Sequence, residues 1–150
     1  MKAFHFRLAR VLHLREGQLK TEESKLEQLI AQRARMEAAR DALEASLQRE
    51  RVSVKSQQFV HAADLAALQL YEVRVQRERK QWAARLAAHN ESVEKQKARV
   101  IEARGRVRLL EKLREKRQGE WRVENDRALE ELAADFSTAQ WLRCGNGAIN

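Results

Sequence analysis

The chain contains no proline and only five glycines. β-Sandwiches and α/β folds need many tight turns, and these two residue types supply most of them. Charged residues make up 35% of the sequence and aromatic residues 5%, a composition typical of long helices or coiled coils. We therefore expect an all-α protein. The same composition argues against a compact enzyme with a deep catalytic pocket.

Apolar residues recur about every 3.5 residues in two long stretches. The first stretch has fourteen such positions from Leu8 to Val54, and nine of them are apolar. The second has fourteen from Leu65 to Leu110, and ten of them, Val75 included, are apolar. This spacing predicts two helices, each with a narrow apolar seam that must pair with another helix to be buried.

The segment between the two seams is rich in β-branched residues and serine, which lowers its helix propensity. We place a turn within about residues 55–62, a first helix over about 4–55 and a second over about 62–138. Residues 139–150 are expected to form a flexible C-terminal tail. The predicted fold is a long antiparallel two-helix coiled-coil hairpin, with residues 1–138 as a single domain.

Folding the chain about this turn places residue 4 beside residue 113 or so. The rest of the second helix then extends past the N-terminus, and we call this part the overhang. Trp121 and Phe136 are expected on the overhang with no part of the first helix beside them. Tyr71 lies off the seam near the turn. Because the hairpin seam does not account for these aromatic side chains, they are candidates for binding a partner.

The formal net charge is +8 and the sequence pI is about 10.1, which favours acidic partners such as nucleic acid, an anionic membrane surface or an acidic protein face. The charge is unevenly distributed. Residues 95–117 carry ten basic and three acidic residues, whereas residues 120–135 carry six acidic and two basic residues. The terminal end of the hairpin is therefore expected to have a basic surface followed by an acidic overhang.

The sequence has no pattern that indicates catalysis or metal binding. Its four histidines, His5, His13, His61 and His89, are scattered, and no phosphate-binding loop or nucleophile motif is present. We therefore expect no catalytic residue, no metal ion, no cofactor and no small-molecule substrate.

The single cysteine, Cys144, cannot form an internal disulfide and fits a reducing compartment. No apolar run exceeds four residues, so neither a transmembrane helix nor a signal peptide is expected. The expected location is the cytoplasm.

Three short motifs occur in a characteristic order. The chain opens with Phe4-His5-Phe6-Arg7-Leu8, continues after the turn with Leu110-Glu111-Lys112-Leu113, and carries a late acidic pair, Glu130-Glu131, before Leu132-Ala133. Together they resemble the FliJ family of flagellar type III export proteins. The similarity covers residues 4–136, with Glu130 where the family usually has aspartate.

The resemblance implies a non-enzymatic stalk similar to the central γ-type stalk of rotary ATPases. Such a protein inserts the terminal end of its hairpin into the hexameric ring of the export ATPase and promotes assembly of that ring. It also contacts the cytoplasmic domain of the export gate protein and escorts empty export chaperones. The resemblance therefore implies a cytoplasmic protein, peripherally associated with the inner-membrane export apparatus, that serves flagellum biogenesis and motility.

The resemblance also suggests which residues bind. Tyr71 and Val75 match the aromatic and aliphatic positions of the family's gate-binding patch, whereas Glu78 and Trp82 depart from its next positions. We assign binding of the ATPase ring to basic and aromatic residues of the terminal end, namely Arg7, Arg10, Arg99, Arg104, Arg106, Arg108, Lys112, Arg114, Trp121 and Phe136.

Two alternatives to a flagellar stalk stay open. One is the equivalent stalk of a virulence-type secretion system, the YscO group. The other is a basic coiled-coil protein that binds nucleic acid, which is disfavoured because the basic cluster has no interleaved aromatic residues and no readout motif. The free protein is expected to be a monomeric hairpin, with a parallel dimer as the alternative.

Overall fold

The computed structural model describes residues 3–146, and side chains as far as residue 143. Within this range the chain forms two helices, α1 (Ala9–Lys55) and α2 (Ala62–Asn146), and no strand. The helices pack against each other as the predicted antiparallel hairpin. None of the described helices has an apolar stretch long enough to cross a membrane.

The connection between the helices falls at the predicted turn. The last turn of α1 closes where the Ser56 N–H donates to the Val52 carbonyl at 2.9 Å. The first turn of α2 closes where the Asp64 N–H donates to the His61 carbonyl at 3.0 Å. The Asp64 carboxylate lies at the positive end of the α2 dipole. No described residue has a positive φ, so the chain reverses without a left-handed residue.

The outer ends of the two helices differ from the expected bounds. α1 begins at Ala9 rather than near residue 4, and residues 3–6 are not helical. We call residues 3–8 the N-terminal arm. α2 continues to Asn146, past the expected end near residue 138, because no glycine or proline interrupts residues 139–144. The rest of the expected flexible tail, residues 147–150, lies outside the described range.

The chain divides into two compact units. The first, which we call the turn unit, is Gln18–Ala103, and the second, the terminal unit, combines Met1–Gly17 with Arg104–Asn150. Buried apolar side chains of the turn unit all occupy predicted seam positions: Leu47, Val75, Leu86, Val93 and Val100. The last three of these are seven residues apart, as a coiled-coil seam requires.

Three polar contacts define how the helices align in the turn unit. In each contact the two residue numbers add to 117 or 118, the same alignment that the sequence predicted from residues 4 and 113. The pairs are Ser46 with Tyr71, Leu29 with His89, and Glu22 with Gln96.

The core of the terminal unit contains Phe6, Leu12 and Val107. Leu12 and Val107 were predicted as seam residues. Phe6 was not, because it precedes α1 and belongs to the N-terminal arm. The arm therefore contributes to the core without being helical.

Candidate functional site

Tyr71 lies in the third turn of α2 and is half-buried against α1. Its hydroxyl is 2.7 Å from the Ser46 Oγ, which in turn lies 2.8 Å from the Leu43 carbonyl. Because the serine hydroxyl donates its proton to that carbonyl, the tyrosine hydroxyl donates to Ser46. The Tyr71 ring is therefore held in one orientation, with part of its surface open to a partner.

Val75, the second residue assigned to the gate, is in the core of the hairpin. Its side chain has 0% exposure, as expected for a seam position and not for a contact residue. The sequence placed Val75 in both sets, and the two roles conflict because a residue sealed between helices has no surface to offer. Of the two assigned gate residues, only Tyr71 is accessible in this fold.

A groove of about 470 Å³ lies beside Tyr71, between the end of α1 and the start of α2. It contains one carboxylate from each helix, Glu50 and Asp64, together with apolar side chains such as Val54 and Leu68. Its lining residues are Glu50, Ser53, Val54, Gln57, Asp64, Ala67, Leu68 and Tyr71. The groove can accept an apolar side chain with a neighbouring cation. The sequence did not reveal it, because its residues come from both sides of the turn.

Two ion pairs connect α1 and α2 near this groove. The Arg51 Nε lies 2.7 Å from a Glu72 carboxylate oxygen. Arg79 donates two hydrogen bonds of 2.6 Å to the two oxygens of Glu44. The bonds from Arg79 hold the pKa of the Glu44 carboxyl below its ordinary value. Both pairs are partly exposed, so they align the helices more than they stabilise them.

The predicted seam also contains polar residues that contact the opposite helix. The Gln96 side-chain amide is buried and donates to the Glu22 carbonyl at 3.0 Å and to the Glu22 carboxylate at 2.5 Å. Hydrogen bonds from Lys25 and then Gln96 lower the pKa of the Glu22 carboxyl. The His89 Nε2 lies 2.7 Å from the Leu29 carbonyl. These contacts form only in one alignment of the two helices and therefore specify the register.

The basic residues assigned to the ATPase ring are exposed. Arg7 and Arg10 lie at the start of the terminal unit, and Arg99 belongs to the turn unit. The others are on the α2 segment of the terminal unit: Arg104, Arg106, Arg108, Lys112 and Arg114. All of these side chains lie off the buried seam and do not contribute to the core, and we call those of the terminal unit the basic surface.

Trp121 is covered, contrary to our expectation. The ring of Phe4 packs against it with centroids 6.0 Å apart and a 54° tilt between the ring planes. Residues 3–6 are not helical and residues 7–8 form a turn, so the arm does not continue the path of α1. Phe4 therefore lies against Trp121 and not beside the expected neighbour at residue 113.

A second groove, of about 570 Å³, lies between the N-terminal arm and α2. Aromatic and aliphatic side chains alternate there with charged ones. Its lining residues are Phe4, His5, Phe6, Arg7, Leu8, Leu113, Arg117, Glu120, Trp121 and Glu124. The arm therefore does not fill the space between itself and α2.

Every described side chain from residue 126 to residue 143 is exposed. Leu129, Leu132 and Phe136 lie one turn apart on one face of α2, with exposed fractions of 41%, 52% and 75%. We call these three residues the overhang stripe. Phe136 therefore has the exposed position that the sequence predicted. Apolar residues grouped on one helix face are typical of a surface that pairs with another protein.

No described group of three or more histidine, cysteine, aspartate or glutamate residues has the geometry to hold a metal ion. Cys144 lies beyond the residues whose side chains are described. The surfaces found in the two units are the Tyr71 groove of the turn unit, and the second groove, the basic surface and the overhang stripe of the terminal unit.

The chain matches a known protein family. The family model described as "Flagellar FliJ protein" matches residues 4–145. No curated protein and no solved structure matches the chain. The family match covers nearly the whole sequence, including the arm, both helices and the overhang.

Proposed function

Because the chain belongs to the FliJ family of flagellar export proteins, we propose that it is the stalk of the export ATPase and links the ATPase ring to the export gate. The family is a non-catalytic export component. The match is to the flagellar family, which favours a flagellar system over a virulence-type one. In this role the protein binds other proteins and does not catalyse a reaction.

The terminal unit supplies the surface for the ring. Its basic residues are exposed and off the seam, so a partner can contact them without disturbing the hairpin core. An acidic lining at the mouth of the ring would attract this surface. The overhang stripe, exposed at residues 129–136, would then pack against apolar residues inside the ring. This combination of a basic surface and an uncovered apolar stripe carries the proposal.

The turn unit supplies the surface for the gate. Tyr71 presents part of its ring beside a groove that contains Glu50 and Asp64. A gate segment with an apolar side chain next to a lysine or arginine would fit this groove. Val75 supports the surface from below by packing the helices together. This contact would hold the protein at the inner-membrane export apparatus, and empty export chaperones would bind to the same stalk.

The ring contact is tested by reversing charge on α2. In the triple variant Arg104→Glu, Arg106→Glu, Arg108→Glu, the seam residues Val107 and Leu110 are unchanged. We expect a normally helical protein that no longer binds or stimulates the purified cognate export ATPase. The stimulation by the unaltered protein should fade as salt rises, because charge contacts are screened over about 8–10 Å at physiological ionic strength.

The matched control reverses three exposed arginines of the turn unit, Arg35, Arg49 and Arg77. It changes the net charge by the same amount but should keep ATPase stimulation. Full stimulation by the folded α2 variant would contradict electrostatic docking. If the unaltered protein instead binds DNA with a steep salt dependence and does not bind the ATPase, the nucleic-acid alternative is correct.

A further inference from the structure

We infer that the N-terminal arm is a displaceable cover over the first part of the ring-binding stripe, so that it regulates how much of α2 a partner can contact. The inference rests on the proposed function, because it concerns the same end of the molecule. It adds that the free protein is in a partly masked state. The masking contact is the packing of Phe4 on Trp121.

The overhang stripe continues a line of residues that begins under the arm. Gln118, Trp121 and Asn125 are half-buried, and spacings of four, three and four residues lead from Asn125 to the overhang stripe. These spacings keep all six residues on one face of α2. The face therefore runs without a break from the covered part of the terminal unit onto the exposed overhang. Only its first part is covered by the protein itself.

The arm is attached in a way that permits its release. Residues 3–6 form no helix, so they lack the hydrogen-bond ladder that holds α1 and α2. Phe6 is the deeper anchor at 9% exposure, whereas Phe4 is half-buried and borders the open groove on α2. Moving Phe4 off Trp121 therefore disrupts one aromatic pair and leaves the Phe6 anchor and the helices in place.

A partner helix that pairs with the overhang stripe meets the arm at Trp121. If it follows the face from Phe136 toward the turn, the first obstacle from this chain is the Phe4 ring. The partner then either stops at Leu129 or replaces Phe4 on Trp121. Replacement gives it a larger apolar surface, because the large indole ring is added to the contact. Binding of the partner and closure of the arm therefore compete for the same ring.

The first test removes the cover with Phe4→Ala and measures affinity for the purified cognate export ATPase. The contribution of one aromatic pair corresponds to a gain in affinity of roughly 2- to 12-fold. Helicity should not change, because Phe4 precedes both helices. A background with Trp82→Phe and Trp141→Phe leaves Trp121 as the single tryptophan, which can be excited selectively at its red edge. In that background Phe4→Ala should make Trp121 more accessible to acrylamide quenching in the free protein.

The second test locks the cover. His5→Cys and Glu124→Cys, in a Cys144→Ser background, place two thiols on the same groove and keep the Phe4 ring, and a short bis-maleimide can join them. The locked protein should bind the ATPase more weakly than the same protein before cross-linking. Glu124→Cys alone, treated with the same reagent, controls for modification of the groove.

Phe136→Ala separates this inference from the proposed function. It should weaken ATPase binding with the arm intact. If Phe136→Ala weakens binding but Phe4→Ala leaves it unchanged or weaker, the arm is not a cover and the inference is overturned. The same holds if the locked protein binds normally. If neither the unaltered protein nor any variant binds the ATPase, the proposed function fails and the inference fails with it.

Discussion

At the residue scale, the ring and the hydroxyl of Tyr71 have different surroundings. The hydroxyl bonds to Ser46 inside the hairpin, while the ring borders the groove at the turn. In the proposed gate contact a partner would meet the ring, whereas the hydroxyl bonds within the hairpin. The same reasoning removes Val75 from the list of contact residues, because its side chain is sealed between the helices.

These two roles predict different effects for two substitutions. Tyr71→Ala removes the ring and should weaken binding to the cytoplasmic domain of the gate protein about tenfold or more, the usual loss at an aromatic hot spot. Tyr71→Phe removes only the hydroxyl and should bind nearly normally, with a loss of about 1 kcal/mol in unfolding free energy. Titration calorimetry and urea unfolding give the two quantities.

Leu70→Ala is the matched control for this experiment, since Leu70 is the neighbouring residue and is 73% exposed on a different face. It should change neither gate affinity nor stability. Equal gate affinity for Tyr71→Ala and the unaltered protein would mean that the groove is not the gate site.

Gln96 shows how a polar residue is accommodated in the seam. Its amide is buried, yet both of its bonds go to Glu22, whose carboxylate also contacts Lys25 at 2.8 Å. Replacing Gln96 therefore does not leave the Glu22 carboxylate without a partner. The amide specifies the alignment of the helices at some cost in stability.

We therefore expect Gln96→Leu to be neutral or to stabilise the hairpin by up to about 1 kcal/mol, since an apolar side chain of similar size replaces a polar one. Gln96→Ala should destabilise it by about 1–3 kcal/mol, because it loses the bonds and leaves a cavity. Thermal and urea unfolding measure both. A Gln96→Leu variant that loses more than about 2 kcal/mol would show that the amide bonds stabilise the fold more than we infer.

At the scale of the elements, α2 has two different environments along its length. As far as Asn125, buried or half-buried side chains recur along it. From residue 126 to residue 143 every side chain is exposed. Apolar residues on the same helix therefore differ in what they contribute. Those in the seam hold the hairpin together, and those beyond it are available to a partner.

A matched pair of valines on α2 measures how much more a buried seam position contributes to stability than an exposed position. Val93 is 1% exposed and Val123 is 53% exposed, and both lie within α2. Val93→Ala should lower the unfolding free energy by about 1–2.5 kcal/mol through lost burial and a residual cavity. Val123→Ala should change it by less than about 0.5 kcal/mol. If the two substitutions have equal effects on the urea midpoint, the assignment of Val93 to a buried seam is incorrect.

At the scale of the whole molecule, charge and apolar surface are separated along the sequence. The strongly basic segment of residues 95–117 precedes the acidic segment of residues 120–135. An overhang stripe paired with the same stripe of a second copy would bring two acidic segments together, and their like charges would oppose the contact. The hairpin already covers its own seam. The repulsion between acidic segments and the covered seam both favour a monomer in the free state.

We therefore expect sedimentation equilibrium to give the chain mass of 17.5 kDa over a wide range of protein concentrations. Because salt weakens repulsion between the acidic segments, any self-association should appear first at high salt. A dimer mass that persists on dilution at low salt would support the parallel-dimer alternative instead.

Much of the architecture is determined by the sequence alone. The 3.5-residue spacing of apolar residues, the lack of proline and the propensity change near residue 55 predicted two helices and one turn, because these are local properties. The spacing also predicted the alignment of the helices. Once the turn is located, each seam residue has only one counterpart at the same distance from it. The seam assignment of Val93 and Val100 follows directly.

What the tertiary structure decided is which surfaces are open. Periodicity assigns a residue to a face, but it does not say which other segment covers that face. The non-helical arm brings Phe4 to Trp121, and the turn brings Glu50 and Asp64 into one groove. Both are contacts between residues far apart in sequence, and neither leaves a local pattern. The seam spacing had already placed Val75 between the helices and Tyr71 off the seam, and the tertiary structure adds that the Tyr71 ring stays partly open.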